Sequence, residues 1–297
     1  MKESRASVYS LLTGLAGGAA AWAGVEMILH FSSSFPDLRI LTLALGAASG
    51  LLLGAVAPTA EGLRQAQPRK VITAIAVGGL FGGIAGALGM AAGQSLLAVL
   101  AGNAAVTGAG LAARGAAMAR IPGWVITGTA VGAVSGIRSR SLRRIIAGAI
   151  GGFFGGLLGG IASEGLTGAT SRFYGRGAGM VIWGIAVAFL ADRMEARRAR
   201  GRLTVLAGPL KGRSYPINQK TLSIAGSPRA DLTIPGDAKG AAPGEGAQIL
   251  LKRGTVVLEA GEGTEVKVNG EVSPKTELRY DDVVKVGNLT MIYEAKR

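Results

Sequence analysis

From Ser7 to Ala191 the chain is written in long apolar runs separated by short polar ones; from Leu203 onward it alternates apolar and polar residues in short runs. The first pattern predicts helices with the ~20 apolar residues a bilayer crossing requires. Six spans are expected, at 7–29, 38–58, 71–93, 121–136, 144–163 and 177–191. The segment 94–119 reads as an interfacial or re-entrant piece. A crossing there would place Arg138, Arg140, Arg143 and Arg144 outside, against the rule that basic linkers stay in the cytoplasm. Six spans therefore make residues 1–192 a multi-pass domain of the cell (inner) membrane with both termini cytoplasmic, followed by a basic juxtamembrane linker at 193–202.

Within these runs glycine recurs every fourth residue, so that on a helix it forms a groove without side chains. Gly78, Gly82 and Gly86 mark the third span, and Gly151, Gly155 and Gly159 the fifth. VGGLFGGIAGA (77–87) aligns with IGGFFGGLLGG (150–160) at an offset of 73, and Gly46, Gly50 and Gly54 align with Gly128, Gly132 and Gly136 at an offset of 82. This is a repeated glycine-zipper hairpin with a basic turn. In water such helices are poor, because each interior glycine costs ~1 kcal/mol relative to alanine. In lipid, small residues mark helix contacts, either within one chain or between copies in a homo-oligomer.

Charge sharpens the division. Residues 1–202 hold 19 Lys+Arg against 7 Asp+Glu, whereas 203–297 hold 13 against 11. The excess belongs to the membrane linkers, with no basic face interleaved with aromatics, so nucleic acid is not an expected partner. With no cysteine and one histidine, His30, thiolate chemistry is excluded and histidine acid–base or metal sites have almost no material. The GxGxxG-like matches follow no strand and carry no lysine. No enzyme activity, cofactor or metal is expected.

Beyond Leu203 the runs LTVL, SYPI, LSI, LTI, QILL, TVVLE, VKV, VVKV and LTMIY are bounded by Gly, Pro, Asn and Asp, the spacing of a β-sandwich. Residues 203–297 resemble a forkhead-associated (FHA) domain, an all-β sandwich of the SMAD-FHA type. The likeness lies in LTVLAGPLKGRSYPI, LSIAGSPRADLTIPGD, GTEVKVNG with its Gly-Thr and Asn-Gly turn, and LRYDDVVKVGN. It implies a protein-interaction module. FHA domains bind phosphothreonine through loop residues, and those are not kept: the arginine falls on Gly226, the Ser-x-x-His pair near Pro243 and Gly246, and the asparagine on Glu262. Ser227, Arg229 and Lys239 remain the candidates for partner or phosphopeptide binding, with solvated loop residues as the alternative.

In the membrane half Glu26 is the acid placed deepest in a span; it reads either as an interfacial anchor or as part of an ion path. Arg176, at the start of the last span, is expected to snorkel. Two functions follow. One is a membrane-anchored FHA-like module that recruits a cytoplasmic protein, phosphorylated or not, as a signalling or envelope-assembly scaffold. The other is a channel or transporter regulated by its cytoplasmic FHA-like domain.

Overall fold

The computed structural model describes residues 2–56, 58–65, 68–105, 109–134, 142–198, 201–208, 210–217, 221–227, 230–234, 246–252, 255–261 and 263–295. The chain divides into two compact units, Met1–Met194 and Glu195–Arg297.

The first unit is helical: α1 (Lys2–His30), α2 (Leu38–Val56), α3 (Thr59–Gln65), α4 (Pro68–Ala105), α5 (Ala109–Val134), α6 (Leu142–Ala169) and α7 (Arg172–Arg198). Five of these, over Val8–His30, Leu38–Val56, Val71–Val99, Ile145–Ala169 and Arg172–Leu190, are long and apolar enough to cross a membrane. The expected fourth span falls in α5, which contains Pro122, and its residues 135–136 lie outside the described residues. Within 94–119, α4 runs on through Ala105, about 57 Å in all, and α5 starts at Ala109 and packs back along it.

Glycine brings the helices together backbone to backbone. A Cβ added to Gly46, Gly50 or Gly54 of α2 would fall on the carbonyl oxygen of Gly86, Gly82 or Gly78 of α4. Added to Gly89 or Gly93 of α4, it would meet the Cα of Thr127 or Gly123 of α5 at 2.7 Å. Gly128 and Gly132 of α5 lie in the same way against Gly152 and Gly148 of α6, Gly159 against Gly179 of α7, and Gly14 and Gly18 of α1 against Gly184 and Met180 of α7. With α1 beside α2, the six long helices form a closed ring in which each pair of neighbours runs antiparallel. Val25, Leu53, Val131, Met180 and Trp183 join in one buried cluster, so side chains from α1, α2, α5 and α7 meet inside the ring. Many of the described glycines thus meet a neighbouring helix of the same chain, and Gly151 is buried.

The glycine contacts of α5 with α6 differ in register from those of α2 with α4. Carried over at offsets of 82 and 73, the contact Gly46–Gly86 would become Gly128–Gly159. Instead Gly128 meets Gly152, seven residues or about two helical turns earlier. Seven residues fall only ~20° short of two turns, so the slip keeps the same face. Gly155 and Gly159 are then free to receive Trp183 and Gly179 of α7.

The second unit is a two-sheet sandwich. Its strands are β1 (Gly201–Ala207), β2 (Ser214–Pro216), β3 (Thr221–Ala225), β4 (Leu232–Thr233), β5 (Ala247–Lys252), β6 (Thr255–Ala260), β7 (Val266–Val268), β8 (Glu271–Val272), β9 (Lys275–Glu277), β10 (Val283–Val286) and β11 (Leu289–Ala295). One sheet has the order β2-β1-β11-β10-β7-β8, the other β4-β3-β5-β6-β9. All pairs are antiparallel except β3 with β4. Period-two alternation sends Leu203, Val205, Leu222, Ile224, Ile249, Leu258, Val284, Val286 and Met291 into a single core between the sheets. The all-β sandwich expected from the sequence is present, with β8 and β9 added and β1 beginning two residues early, at Gly201.

Candidate functional site

At one end of the sandwich the described residues 226–227 and 230–231, between β3 and β4, lie near Gly246, which is bonded to the β6–β7 connection at Gly261 and Thr264. Gly246 N–H donates to Thr264 Oγ1 at 2.8 Å, and its carbonyl accepts Gly261 N–H at 2.5 Å. Gly246 has φ +131°, and a Cβ there would run into the Ile224 carbonyl. That position can therefore hold no histidine. On the neighbouring connection, the Ser227 carbonyl accepts Ala230 N–H at 3.0 Å and the Thr233 hydroxyl at 3.4 Å. Asp231 Oδ2 accepts both the backbone N–H (2.9 Å) and the hydroxyl (2.8 Å) of Ser223. Asp231 thus fastens the end of this connection back onto β3. Of the three candidate binding residues, Ser227 sits at this end of the sandwich, half-buried, while Arg229 and Lys239 lie outside the described residues.

At the far end of β7 the Asn-Gly turn is held by its own side chains. Asn269 (φ +53°) and Gly270 (φ +92°) take the left-handed conformation that a tight hairpin demands. Asn269 Nδ2 donates to Asp282 Oδ1 at 2.8 Å, and Asn269 Oδ1 accepts Val283 N–H at 2.9 Å. Asp282 Oδ2 also accepts Arg279 N–H at 2.6 Å. The FHA-like motif residues that survive in this sequence, Thr264, Asn269 and Asp282, shape loops. Those that would bind a phosphate are replaced.

Ion pairs decorate the outer strands. The hydrogen bond from Lys275, then that from Lys252, holds the Glu259 carboxyl below its ordinary range, and Lys267 does the same for Glu265. Glu265 is exposed and Glu259 half-buried, and their lysine partners are exposed, so these pairs add little stability. Inside, burial pushes the Tyr215 phenol up, against the opposing charge of Arg213.

The helical unit holds a pair that sequence reasoning missed. Arg176 Nε donates to Glu26 Oε1 at 2.7 Å and Arg176 Nη2 to Glu26 Oε2 at 2.9 Å, a fork across α7 and α1. Both side chains are half-buried, at 28% and 19% exposure, and each is the other's counter-ion. A lone charge at mid-helix costs about 3 kcal/mol on membrane-insertion scales, less toward the interface. The signal available was one acid near the end of the first span and one base near the start of the last. Beside the pair, Trp22 lies over Gly177, at 3.0 Å from where its Cβ would be, and edge-on to Phe173. A second pair, Arg120 with Glu164 at 3.3 Å, joins α5 to α6. The polar residues that a pore would need are engaged by their own helices: Thr73, Thr127 and Thr129 donate to the carbonyls of Arg69, Gly123 and Val125. Among the described residues no cluster of three metal-ligating side chains occurs.

No protein-family model matches the chain, and no curated protein matches it. Solved structures do. A structure from a study of phosphothreonine-dependent FHA domain interactions shares 18% identity over 33% of this chain and 97% of its own, with a TM-score of 0.28. The cytoplasmic domain of PscD, a type III secretion (T3SS) sorting-platform protein of P. aeruginosa, shares 19% over 33% and 81%, also at 0.28. Mycobacterium tuberculosis EmbR, in complex with a low-affinity phosphopeptide, shares 14% over 98% and 72%, again at 0.28. Scores and identities this low transfer no function. FHA domains are thus among the structures matched by the C-terminal segment, and that segment's own six- and five-stranded sheets establish it as a β-sandwich of the architecture the FHA resemblance implied.

Proposed function

We propose that this chain is a membrane-anchored protein-interaction module: a multi-pass helical unit holds an FHA-like sandwich at the inner face of the cell membrane, where it recruits a cytoplasmic partner for a signalling or envelope assembly. The observation that carries this reading is the division of labour among the motif residues. Thr264, Asn269 and Asp282 fix loops around a complete two-sheet core, while Gly226 and Gly246 stand where a phosphate site would need donors. A shaped mouth without cationic ligands at these positions suits a protein surface recognised by shape and backbone. Recognition independent of phosphate follows. The anchor reading is supported by Leu53 and Trp183 packed inside the helical ring and by threonines bonded to their own helices. Neither favours a conducting path, and no enzyme activity is part of the proposal.

Liposomes carrying the full chain, mixed with cytosolic extract and sedimented, test the reading. A cytoplasmic protein is expected to co-sediment, to be lost when 203–297 is deleted, and to be retained equally after phosphatase treatment of the extract. Retention abolished by phosphatase would restore the phosphothreonine reading. No retention, together with ion flux through the same liposomes, would replace recruitment by conduction.

A further inference from the structure

We propose that the Glu26–Arg176 pair is a clasp that governs insertion of α7, and thereby the side of the membrane to which residues 201–297 are delivered. The inference rests on the reading that the helical unit spans a bilayer. Of the candidate spans, Arg172–Leu190 is among the least apolar, with mean hydropathy 1.4 against 2.0 for Val71–Val99 and 1.9 for Ile145–Ala169. It begins with two arginines, Arg172 and Arg176, and contains Gly175, Gly177, Gly179 and Gly184. A helix so composed enters lipid reluctantly. What it finds in α1 is a fitted partner: Gly177 under Trp22, Met180 against Gly18, Gly184 against Gly14, and a two-pronged counter-ion for Arg176. Two other described acids of the helical unit are engaged elsewhere. Glu164 is engaged by Arg120, and Asp37 caps α2 through Ile40 N–H at 2.8 Å.

The pair spans 150 residues, from α1 to α7. Because neighbours in the ring alternate in direction, α7 is the element that returns the chain to the side on which it started. If α7 stays out, the sandwich is left on the opposite side. Glu26 therefore acts at a distance in sequence on where the interaction module works.

The test is protease access to a tag after Arg297 in sealed membranes of both orientations, using the full chain. Glu26→Ala leaves Arg176 without its counter-ion and is expected to raise the ratio of misplaced to correctly placed tails roughly tenfold. Arg176→Leu alone removes the costly charge and leaves the tail where it is in the wild type. The double variant Glu26→Ala/Arg176→Leu returns to the wild-type ratio. A merely structural contact predicts instead that both single variants behave alike and that the double is no better. Unchanged tails in Glu26→Ala, misplaced tails in Arg176→Leu, or no recovery in the double variant would each overturn the clasp. The wild-type side tests the orientation by itself; the change on substitution tests the clasp, whichever side that is.

Discussion

The two units of this chain solve opposite packing problems. In the sandwich the large side chains are inside: Leu203, Ile217, Ile224, Ile249, Leu258 and Met291 are fully buried. In the helical unit many large side chains are outside, among them Ile72, Leu80, Leu88, Phe153, Phe154 and Leu158, while glycines occupy the contacts. Water expels apolar surface, so the sandwich gains from each side chain it hides. Lipid does not, so helices gain instead from close backbone approach and from polar pairs that cannot find water. Glycine has two uses to match. At Gly50 and Gly82 it removes an obstacle between helices; at Gly246 and Gly270 it permits a backbone turn.

That contrast can be broken at defined places. The largest effect is expected from Gly50→Leu, whose side chain would have to displace the α4 backbone at Gly82. Overpacking against backbone should cost at least about 3 kcal/mol, read as loss of the folded, monodisperse full chain in detergent. Gly168→Leu on α6, where an added Cβ meets nothing within 4 Å, should behave as wild type. Next comes Leu258→Ala in the sandwich core, expected to cost about 2–5 kcal/mol. Thermal unfolding followed by near-UV signals should show the loss confined to the sandwich, with the helical content unchanged. Smaller again is Asp282→Ala, which removes exposed hydrogen bonds to the Asn269 amide and the Arg279 N–H and should cost about 1 kcal/mol.

The smallest effect is a pH dependence. The Glu259 carboxyl is held low by Lys275 and Lys252, so its contribution is present above the ordinary carboxylate range and is lost as pH falls through its depressed value. The melting temperature of the sandwich should therefore decline toward acid slightly more steeply than in Glu259→Gln. Parallel profiles for the two would mean that the exposed lysine pairs contribute nothing.

Legibility followed the range of the interaction. The nine runs read as strands are strands, since alternation is a property of neighbours two residues apart. The Asn269–Gly270 turn was equally plain, because the left-handed backbone selects those residues locally. Strands β8 (EV) and β9 (KTE) are polar and mostly exposed, so they show no apolar alternation, and only pairing with β7 and β6 makes them visible. At the mouth of the sandwich, Gly226 and Gly246 announced the missing phosphate ligands. The part played by Asp231 required the fold that brings it to Ser223.

Composition and periodicity alone set the solvent of each half, the sandwich and the glycine faces, because burial and backbone approach are written into every turn of helix or pair of strand residues. The tertiary structure decided which glycine meets which: a slip of seven residues leaves a helix face unchanged, so nothing local forbids it. It alone also joined Glu26 to Arg176, since opposite charges on the first and last helices become neighbours only when the ring closes.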